Sequence, residues 1–183
     1  MESNTWKIID EKLVYDNNWI SLHHYNVINP NGGEGIYGKV HFKNIAIGII
    51  PIDNEDNTWL VGQYRFPINQ YSWEIPEGGC PLNELPIDAA KRELLEETGL
   101  VANHWEQLIT MYLSNSVSDE LCIIFIAKGL TQRQPKPEET EQLTIKKISL
   151  QLAFEMVASN KITDAVSVAG LQKLQLLLLQ NRI

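Results

Sequence analysis

Three glutamates on one predicted helix face are the residues of this chain best suited to chemistry. Residues 78–100 read GGCPLNELPIDAAKRELLEETGL, and on a helix Glu93, Glu96 and Glu97 fall within one sector of roughly 100°. Like charges at this spacing repel one another, and a divalent cation would remove the repulsion. Oxygen ligands without a nearby His or Cys favour Mg²⁺, or Mn²⁺ as its substitute, and such ions bridge to substrate phosphates. The cluster predicts a metal centre; the alternative is a solvated acidic helix face.

The helix that carries these glutamates is predicted over residues 87–98. Pro86 suits the first helical turn, where an amide hydrogen has no partner in any case, and Gly99 suits the end of a helix. Ala90 and Leu94 fall on the sector beside the glutamates. One helix face is therefore expected to pack on the core while the neighbouring face carries the acids.

After residue 43 the chain alternates predicted strands and helices. Residues 45–52 form a nearly continuous apolar run, which is typical of a strand covered on both faces. Further strands are predicted at 58–64, 105–112, 121–127 and 145–149, and closing helices at 150–159 and 164–180. Strands interleaved with helices predict a layered α/β domain over residues 44–183.

Residues 1–43 have strong strand signals and weak helix signals. Alternating polar and apolar residues predict strands at 7–16, 19–28 and 36–42, with turn residues between them. Three strands enclose only a small core, so this antiparallel β-rich domain must pack on the rest of the chain or on a second copy.

The composition excludes several classes of protein. With 15 Lys and Arg against 23 Asp and Glu the formal charge is −8, which disfavours binding to a nucleic acid backbone. The longest apolar runs are far shorter than the roughly 18 residues that span a bilayer, and residues 1–10 lack a basic and apolar leader. We therefore expect no membrane association and a cytoplasmic location. Cys80 and Cys122 lie in unlike contexts, which indicates neither a disulfide nor a zinc site.

The residues in and before the predicted helix resemble a known catalytic motif. They fit Gly-x5-Glu-x7-Arg-Glu-U-x-Glu-Glu-x-Gly-U, where U is aliphatic, and the chain is thereby similar to proteins with the Nudix hydrolase box. The matching residues are Gly78, Glu84, Arg92, Glu93, Glu96, Glu97 and Gly99, with Leu94 and Leu100 at the aliphatic positions. The order of further stretches resembles the ADP-ribose and nucleoside-diphosphate-sugar pyrophosphatase branch: GQYRFP at 62–67, WEIPEGG at 73–79, SDE at 118–120 and acids at 138–141.

This resemblance implies both a fold and an activity. The implied fold is a Nudix α/β/α sandwich on a mixed sheet, preceded by a small antiparallel β-rich domain that mediates formation of a homodimer. The implied activity is Mg²⁺-dependent hydrolysis of nucleoside diphosphate sugars, such as ADP-ribose, GDP-mannose and ADP-glucose, to a nucleoside monophosphate and a sugar phosphate. Two alternatives stay open. One is a Nudix pyrophosphatase for nucleoside triphosphates, dinucleoside polyphosphates or coenzyme A, and the other is a non-catalytic ligand-sensing module.

The resemblance also implies a set of metal ligands. Glu93 and Glu97 match the direct ligands, and Glu96 matches either a third ligand or one that acts through water. The backbone carbonyl of Glu77 is implied as a further ligand, with Gly78 allowing a tight loop after it. These oxygen donors suit Mg²⁺ or Mn²⁺.

Other residues are implied to orient the ligands or to bind substrate. Arg92, a catalytic residue together with Glu96, is implied to orient the glutamate carboxylates and to pair with Glu84. Arg65 resembles a phosphate-binding arginine, although an arginine beside aromatic residues often only stacks on them. Glu74 resembles a residue that contacts the nucleoside or the sugar.

The position of Asn115 bears on substrate selectivity. Members of this branch that select ADP-ribose have a proline sixteen residues after the last box glycine, and this chain has Asn115 there. Asn115 lacks the fixed φ of proline and offers hydrogen-bonding groups, so we expect it to contact the distal sugar and to broaden the substrate range.

A general base is expected in an acidic loop near residue 140. The resemblance assigns the catalytic base to Glu141, with Glu139 as the alternate, within the stretch PKPEETEQL. The other interpretation is that these acids are solvated loop charges.

Overall fold

A computed structural model describes residues 3–134 and 143–183 and divides the chain into two compact units. The first unit comprises residues up to Asn44 together with Tyr112–Leu121. The second comprises Ile45–Met111 and Cys122–Ile183.

The first unit is built on a three-stranded antiparallel sheet with strand order β1-β2-β3. Its strands are β1 (Lys7–Asp16), β2 (Ile20–Ile28) and β3 (Glu34–Phe42). The segment Tyr112–Leu121 lies along β3, where the amide of Val40 donates to the carbonyl of Val117 at 2.9 Å. The hydroxyl of Tyr37 donates to the carbonyl of Ser116 at 2.6 Å.

Within its described residues, the second unit contains two sheets and three α-helices. One sheet has the order β7-β4-β9-β8, in which β4 and β9 are parallel, and the other has the antiparallel order β10-β5-β6. The strands are β4 (Asn44–Pro51), β5 (Asn57–Arg65), β6 (Gln70–Glu74), β7 (Glu77–Pro81), β8 (Leu100–Tyr112), β9 (Leu121–Gln132) and β10 (Thr144–Ser149). The helices are α1 (Pro86–Thr98), α2 (Leu150–Ala158) and α3 (Ala165–Leu179).

Strand β4 is covered on both faces, as its apolar run predicts. On one face Ile47 and Ile49 belong to the same buried cluster as Leu94 of α1. On the other face Gly48 lies so close to Val166 of α3 that an added Cβ atom would come within 2.7 Å of it. The helices therefore sandwich this sheet, and the predicted α/β class with a mixed sheet and an N-terminal antiparallel sheet is confirmed.

The sequence predicted the long elements better than the short ones. Helix α1 begins and ends within one residue of its prediction, whereas no strand was predicted at β6 or β7. Proline and glycine interrupt the alternation there, in WEIPEGGCP, and this pattern resembles a loop. Strand β8 also begins at Leu100, five residues before its predicted start, directly after the glycine that ends α1.

Candidate active site

Helix α1 buries two of the three glutamates that the sequence singled out. Pro86 lies in its first turn, and Gly99 follows its last residue with a φ of 72°, a left-handed conformation that suits glycine. Glu93 and Glu97 are 9% and 2% exposed, whereas Glu96 is half-buried. Because ionised carboxylates are rarely buried without polar or cationic partners, this helix face is specialised rather than a plain solvated surface.

Gly78 provides the space that the Glu93 side chain occupies. A Cβ atom added at Gly78 would overlap the carboxylate carbon and both carboxylate oxygens of Glu93. Gly78 lies in β7 without a positive φ. The expected tight loop is therefore not the reason for glycine at this position; the close approach of α1 to β7 is.

Arg92 connects the helix to the segment before it. Its Nη1 donates to Glu93 at 2.7 Å and to Glu96 at 3.0 Å, while Nε and Nη2 donate to Glu84 at 3.2 and 2.9 Å. Nη2 also donates to the carbonyl of Gly79 at 2.9 Å. The hydrogen bonds to Glu84, Glu93 and Glu96 raise the pKa of Arg92. The predicted pair with Glu84 is present, and Arg92 holds three carboxylates in fixed positions.

A second charged group is centred on Arg65 at the end of β5. Its Nε donates to the two carboxylate oxygens of Glu74 at 2.9 and 3.1 Å. Its Nη2 donates to Glu74 and to Glu77, each at 2.6 Å. Burial lowers the pKa of Arg65, but these carboxylates outweigh burial and raise it. Nη1 donates no hydrogen bond to any residue that the structure describes, so it is the end of this guanidinium suited to an added anion.

These residues line a cavity of about 370 Å³. Carboxylate oxygens of Glu74, Glu77 and Asp164 lie within 4.8 Å of one another there. Burial raises the pKa of Glu77 well above its usual range, and the charges of Asp164 and Glu74 raise it further. The full lining is Arg65, Pro67, Ile68, Ser72, Glu74, Glu77, Thr163, Asp164 and Ala165.

Glu77 connects the Arg65 group to the glutamates of α1. Its backbone amide donates to Oε2 of Glu97 at 3.0 Å, and its side chain accepts from Arg65. Within the described residues, Oε2 of Glu77 is buried without a hydrogen-bond partner. The two charged groups thus belong to one site, in which Glu77 is shared.

The start of α3 supports this site. Asp164 caps the helix, since its Oδ2 accepts from the amide of Ser167 at 2.7 Å. The hydroxyl of Ser167 accepts from the buried amide of Ile75 at 2.9 Å. The sequence predicts a helix here but no role in the site, because an aspartate before a helix is the ordinary signal of a cap.

The oxygen donors of the site fit a hard divalent cation. Glu93 and Glu97 present buried carboxylates four residues apart on α1, and the amide of Glu77 is already anchored to Glu97. The cavity around Arg65, which Glu77 lines but Glu93 and Glu97 do not, has no His or Cys among its described lining residues. Such a donor set suits Mg²⁺ or Mn²⁺ better than Zn²⁺.

Three further residues were predicted from the sequence, and none of them is described in the second unit. Asn115 belongs to the first unit, where it lines a cavity of about 350 Å³ together with Trp6, Tyr25, Tyr37 and Lys39. Arg65 and Glu74, which were predicted to bind the same substrate, belong to the second unit. Glu139 and Glu141 lie outside the described residues.

None of the helices in the described part of the chain has the length and apolar character needed to cross a bilayer.

Two family models match the chain. The model described as NUDIX domain matches residues 42–165, and the model described as Nucleoside diphosphate sugar hydrolase N-terminal domain matches residues 6–40. The first match includes all seven fixed residues of the motif and the Arg65 group.

Relatives and a solved structure agree with these matches. The chain is 31% identical to a Methanol dehydrogenase activator of Bacillus methanolicus, across 93% of this chain and 92% of that protein. It is 30% identical to an ADP-ribose pyrophosphatase of Bacillus subtilis, across 96% of each. A crystal structure titled ADP compounds hydrolase has the same fold, with a TM-score of 0.87 at 22% identity across all of both chains. Since the NUDIX domain model covers more than half of the residues, this chain belongs to the Nudix hydrolase family.

Proposed function

We propose that this protein is a Mg²⁺-dependent pyrophosphohydrolase that cleaves nucleoside diphosphate sugars of the ADP-ribose, GDP-mannose and ADP-glucose type. The products are a nucleoside monophosphate and a sugar phosphate. Support comes from the match to the nucleoside diphosphate sugar hydrolase N-terminal domain and from similarity to a protein named ADP-ribose pyrophosphatase. We assign the N-terminal domain to residues 1–43 and the hydrolase domain to residues 44–183.

One observation carries the proposal. The Glu77 amide donates to Glu97 while the Glu77 carboxylate accepts from Arg65, and these contacts support a single site that includes the arginine group and the glutamates of α1. A diphosphate needs both: a cationic side chain to bind one phosphate, and carboxylates that hold a cation against the other charges. An acidic helix face without function would not need the buried position of Glu97 or its hydrogen bond from Glu77, a residue that lines the cavity around Arg65.

The metal is proposed to bind the helix glutamates. Glu93, Glu97 and the carbonyl of Glu77 would hold it, with Glu96 as a direct or water-mediated ligand. When bound, Mg²⁺ polarises a phosphoryl oxygen and neutralises phosphate charge. Arg92 keeps the carboxylates of Glu93 and Glu96 in place through its hydrogen bonds.

The remaining residues act on the substrate and on water. Arg65 binds a phosphate oxygen through Nη1, and Glu74 fixes the opposite edge of its guanidinium and contacts the nucleoside or sugar. A water oxygen then bonds to one phosphorus while the bond from that phosphorus to the bridging oxygen breaks. We propose Glu141 as the base that takes the water proton, with Glu139 as the alternate. Asn115 is proposed to bind the distal sugar.

The enzyme is proposed to be a cytoplasmic homodimer. Exposed apolar side chains of the first unit, among them Ile8, Leu13 and Ile36 on its sheet and Trp19 in the turn before β2, suit burial against a second copy. Both cysteines are buried and neither forms a disulfide within the described residues, which suits a reducing compartment. Its partners are then the nucleotide-sugar substrate and the second copy, with no nucleic acid and no membrane.

The test is hydrolysis of ADP-ribose with and without Mg²⁺, followed by separation of AMP and ribose phosphate. Activity should disappear with a chelator and return with Mg²⁺ or Mn²⁺. Glu93→Gln and Glu97→Gln should each lower kcat at least ~100-fold, and Glu141→Gln should lower it ~10²–10⁴-fold with little change in metal affinity. The matched control is Glu106→Gln on an exposed position of β8.

The results for these variants test the metal ligands and the general base separately. Apo Glu97→Gln should melt no lower than the wild type, because the amide oxygen can still accept from Glu77 while removal of the charge relieves repulsion. Undiminished turnover in Glu93→Gln or Glu97→Gln would contradict the metal assignment. A large loss in Glu139→Gln with none in Glu141→Gln would transfer the base to Glu139.

A further inference from the structure

Glu77 contacts both halves of the site with different groups. Its backbone amide is anchored to Glu97 at 3.0 Å, and its carboxylate accepts from Nη2 of Arg65 at 2.6 Å. Strand β7 also lies close to α1, since an added Cβ atom at Gly78 would overlap the carboxylate of Glu93. A single residue therefore spans the gap between the arginine proposed to bind phosphate and a glutamate proposed to bind metal.

The hydrogen-bond donors of Arg65 show what the Glu77 carboxylate adds. A guanidinium has five N–H donors. Glu74 takes Nε and one hydrogen of Nη2, and Glu77 takes the other hydrogen of Nη2. Only the donors of Nη1 then lack a partner within the described residues. Without Glu77 the guanidinium, whose side chain is 37% exposed, would be held from β6 alone.

We propose that the Glu77 side chain is a positioning residue that holds Arg65 at a set distance from Glu97, with Nη1 as the end that receives the substrate phosphate. This inference rests on the proposed function. It differs from the role that the family resemblance gives Glu77, which involves only its backbone carbonyl. Substitution of the side chain leaves that carbonyl in place.

Two other roles for the same carboxylate make opposite predictions. Glu77 lies within 4.8 Å of Glu74 and Asp164, and its Oε2 is buried without a hydrogen-bond partner in the described part of the chain. If its charge acts mainly by repelling phosphate, removing the charge will improve substrate binding. If it is a cation ligand, its removal will weaken metal binding.

The experiment is a double-mutant cycle between Glu77 and Arg65. The single variants are Glu77→Ala, Glu77→Gln and Arg65→Ala, and the double variant combines the two alanines. Glu106→Ala, at an exposed position of the same unit, is the control with a matched charge change. Steady-state kinetics with ADP-ribose give KM and kcat, calorimetry gives the affinity for a methylene-bridged ADP-ribose analogue, and Mn²⁺ titration gives the metal affinity.

A positioning role predicts a specific pattern. Glu77→Ala should raise KM and the analogue Kd about 10-fold, with kcat and Mn²⁺ affinity within about threefold of the wild type. Glu77→Gln should stay within about threefold of the wild type, because the amide oxygen accepts the same hydrogen bond. In the Arg65→Ala background, Glu77→Ala should change KM less than about twofold.

Three results would overturn the proposal. A lower KM in both Glu77→Ala and Glu77→Gln would show that repulsion dominates. A loss of Mn²⁺ affinity that parallels the loss of activity would make Glu77 a cation ligand. Full additivity in the double variant would show that Glu77 acts independently of Arg65.

The wild-type protein alone tests the proposed function, independently of the Glu77 and Arg65 variants. A wild-type protein that neither hydrolyses ADP-ribose nor binds the analogue would overturn both proposals. A wild-type protein that does both, without coupling between residues 65 and 77, would overturn only the positioning role.

Discussion

The two arginines of the site are held by carboxylates to different degrees. Arg92 uses all three of its nitrogens on Glu84, the box glutamates and a carbonyl, so it is committed to holding the loop and the helix together. Arg65 uses Nε and Nη2 on Glu74 and Glu77 and keeps Nη1 without a partner in the described residues. An arginine with donors to spare can bind an anion, whereas a fully bonded one serves the structure.

Gly78→Ala tests the close approach of β7 to α1. The added methyl would overlap the Glu93 carboxylate, which must then move or displace the strand. We expect kcat to fall at least ~10-fold and stability to fall by about 1–3 kcal/mol. The matched control is Gly38→Ala, where an added Cβ meets nothing within 4 Å. Steady-state kinetics and urea unfolding measure both effects, and full activity in Gly78→Ala would contradict the proposed role of Glu93.

The sequence predicted site residues that lie within one contiguous motif, and it missed those that tertiary contacts bring to the site. The pairing of Arg92 with Glu84 spans eight residues and follows from the motif spacing. Asp164 reaches Glu77 across almost half the chain, and its capping position has no signal of a site role. The side chain of Glu77 was missed for a similar reason, because its partner Arg65 lies on another strand.

The elements whose bounds could be predicted from the sequence are the long ones and those with a proline or glycine at their ends. Helix α1 is long, begins with a proline and ends before a glycine, and each of these signals acts on the backbone directly. Strands β6 and β7 have five residues each and are separated by Ile75 and Pro76, so their pairing depends on partners elsewhere. The segment Tyr112–Leu121 has no strand pattern, and its place beside β3 depends on contacts that no local pattern shows.

Asp119 should make the attachment of this segment sensitive to acid. Burial raises the pKa of Asp119, but hydrogen bonds from His41, the Phe42 amide and Lys39 outweigh it and lower the pKa from 3.8 to about 2. A carboxyl whose pKa is lower in the folded state than in the unfolded state stabilises the folded state at any pH above its unfolded-state pKa. The stabilisation, roughly 1–2 kcal/mol for a side chain that is one-third exposed, is therefore present above about pH 4 and is lost as the pH falls towards 2.

Urea unfolding at pH 7 and pH 2.5 measures this contribution. Asp119→Asn should be less stable than the wild type by about that amount at pH 7, and the difference should shrink at pH 2.5. Glu34→Gln, at an exposed position of β3, is the control. A difference that does not depend on pH would show that the carboxylate charge is not what holds the segment.

In the molecule as a whole, the first unit leaves many large apolar side chains exposed to solvent. All ten residues of β1 are exposed, including Ile9 and Val14, and Ile36 of β3 is 71% exposed. Edge strands of this kind invite pairing unless another surface covers them. The sequence predicts that these three strands enclose only a small core. The exposed apolar side chains are those that this small core does not cover.

The homodimer is tested by light scattering at micromolar concentration. We expect twice the 20.8 kDa of one chain. Ile36→Glu should shift the protein towards the monomer, because a charge would enter the apolar interface. Leu179→Glu, at the exposed last residue of α3, is the control. A wild-type protein with the mass of one chain would contradict the dimer.

The proposed substrate class is tested by measuring kcat/KM for a panel of substrates with Mg²⁺. The panel contains ADP-ribose, GDP-mannose and ADP-glucose on one side, and a nucleoside triphosphate, a dinucleoside polyphosphate and coenzyme A on the other. We predict that the three nucleotide sugars lie within about 100-fold of one another, roughly 2.7 kcal/mol, and that each exceeds the second group by at least that factor. A higher kcat/KM for any member of the second group would contradict the substrate class. A preference for ADP-ribose above about 100-fold would contradict the broad range that Asn115 predicts.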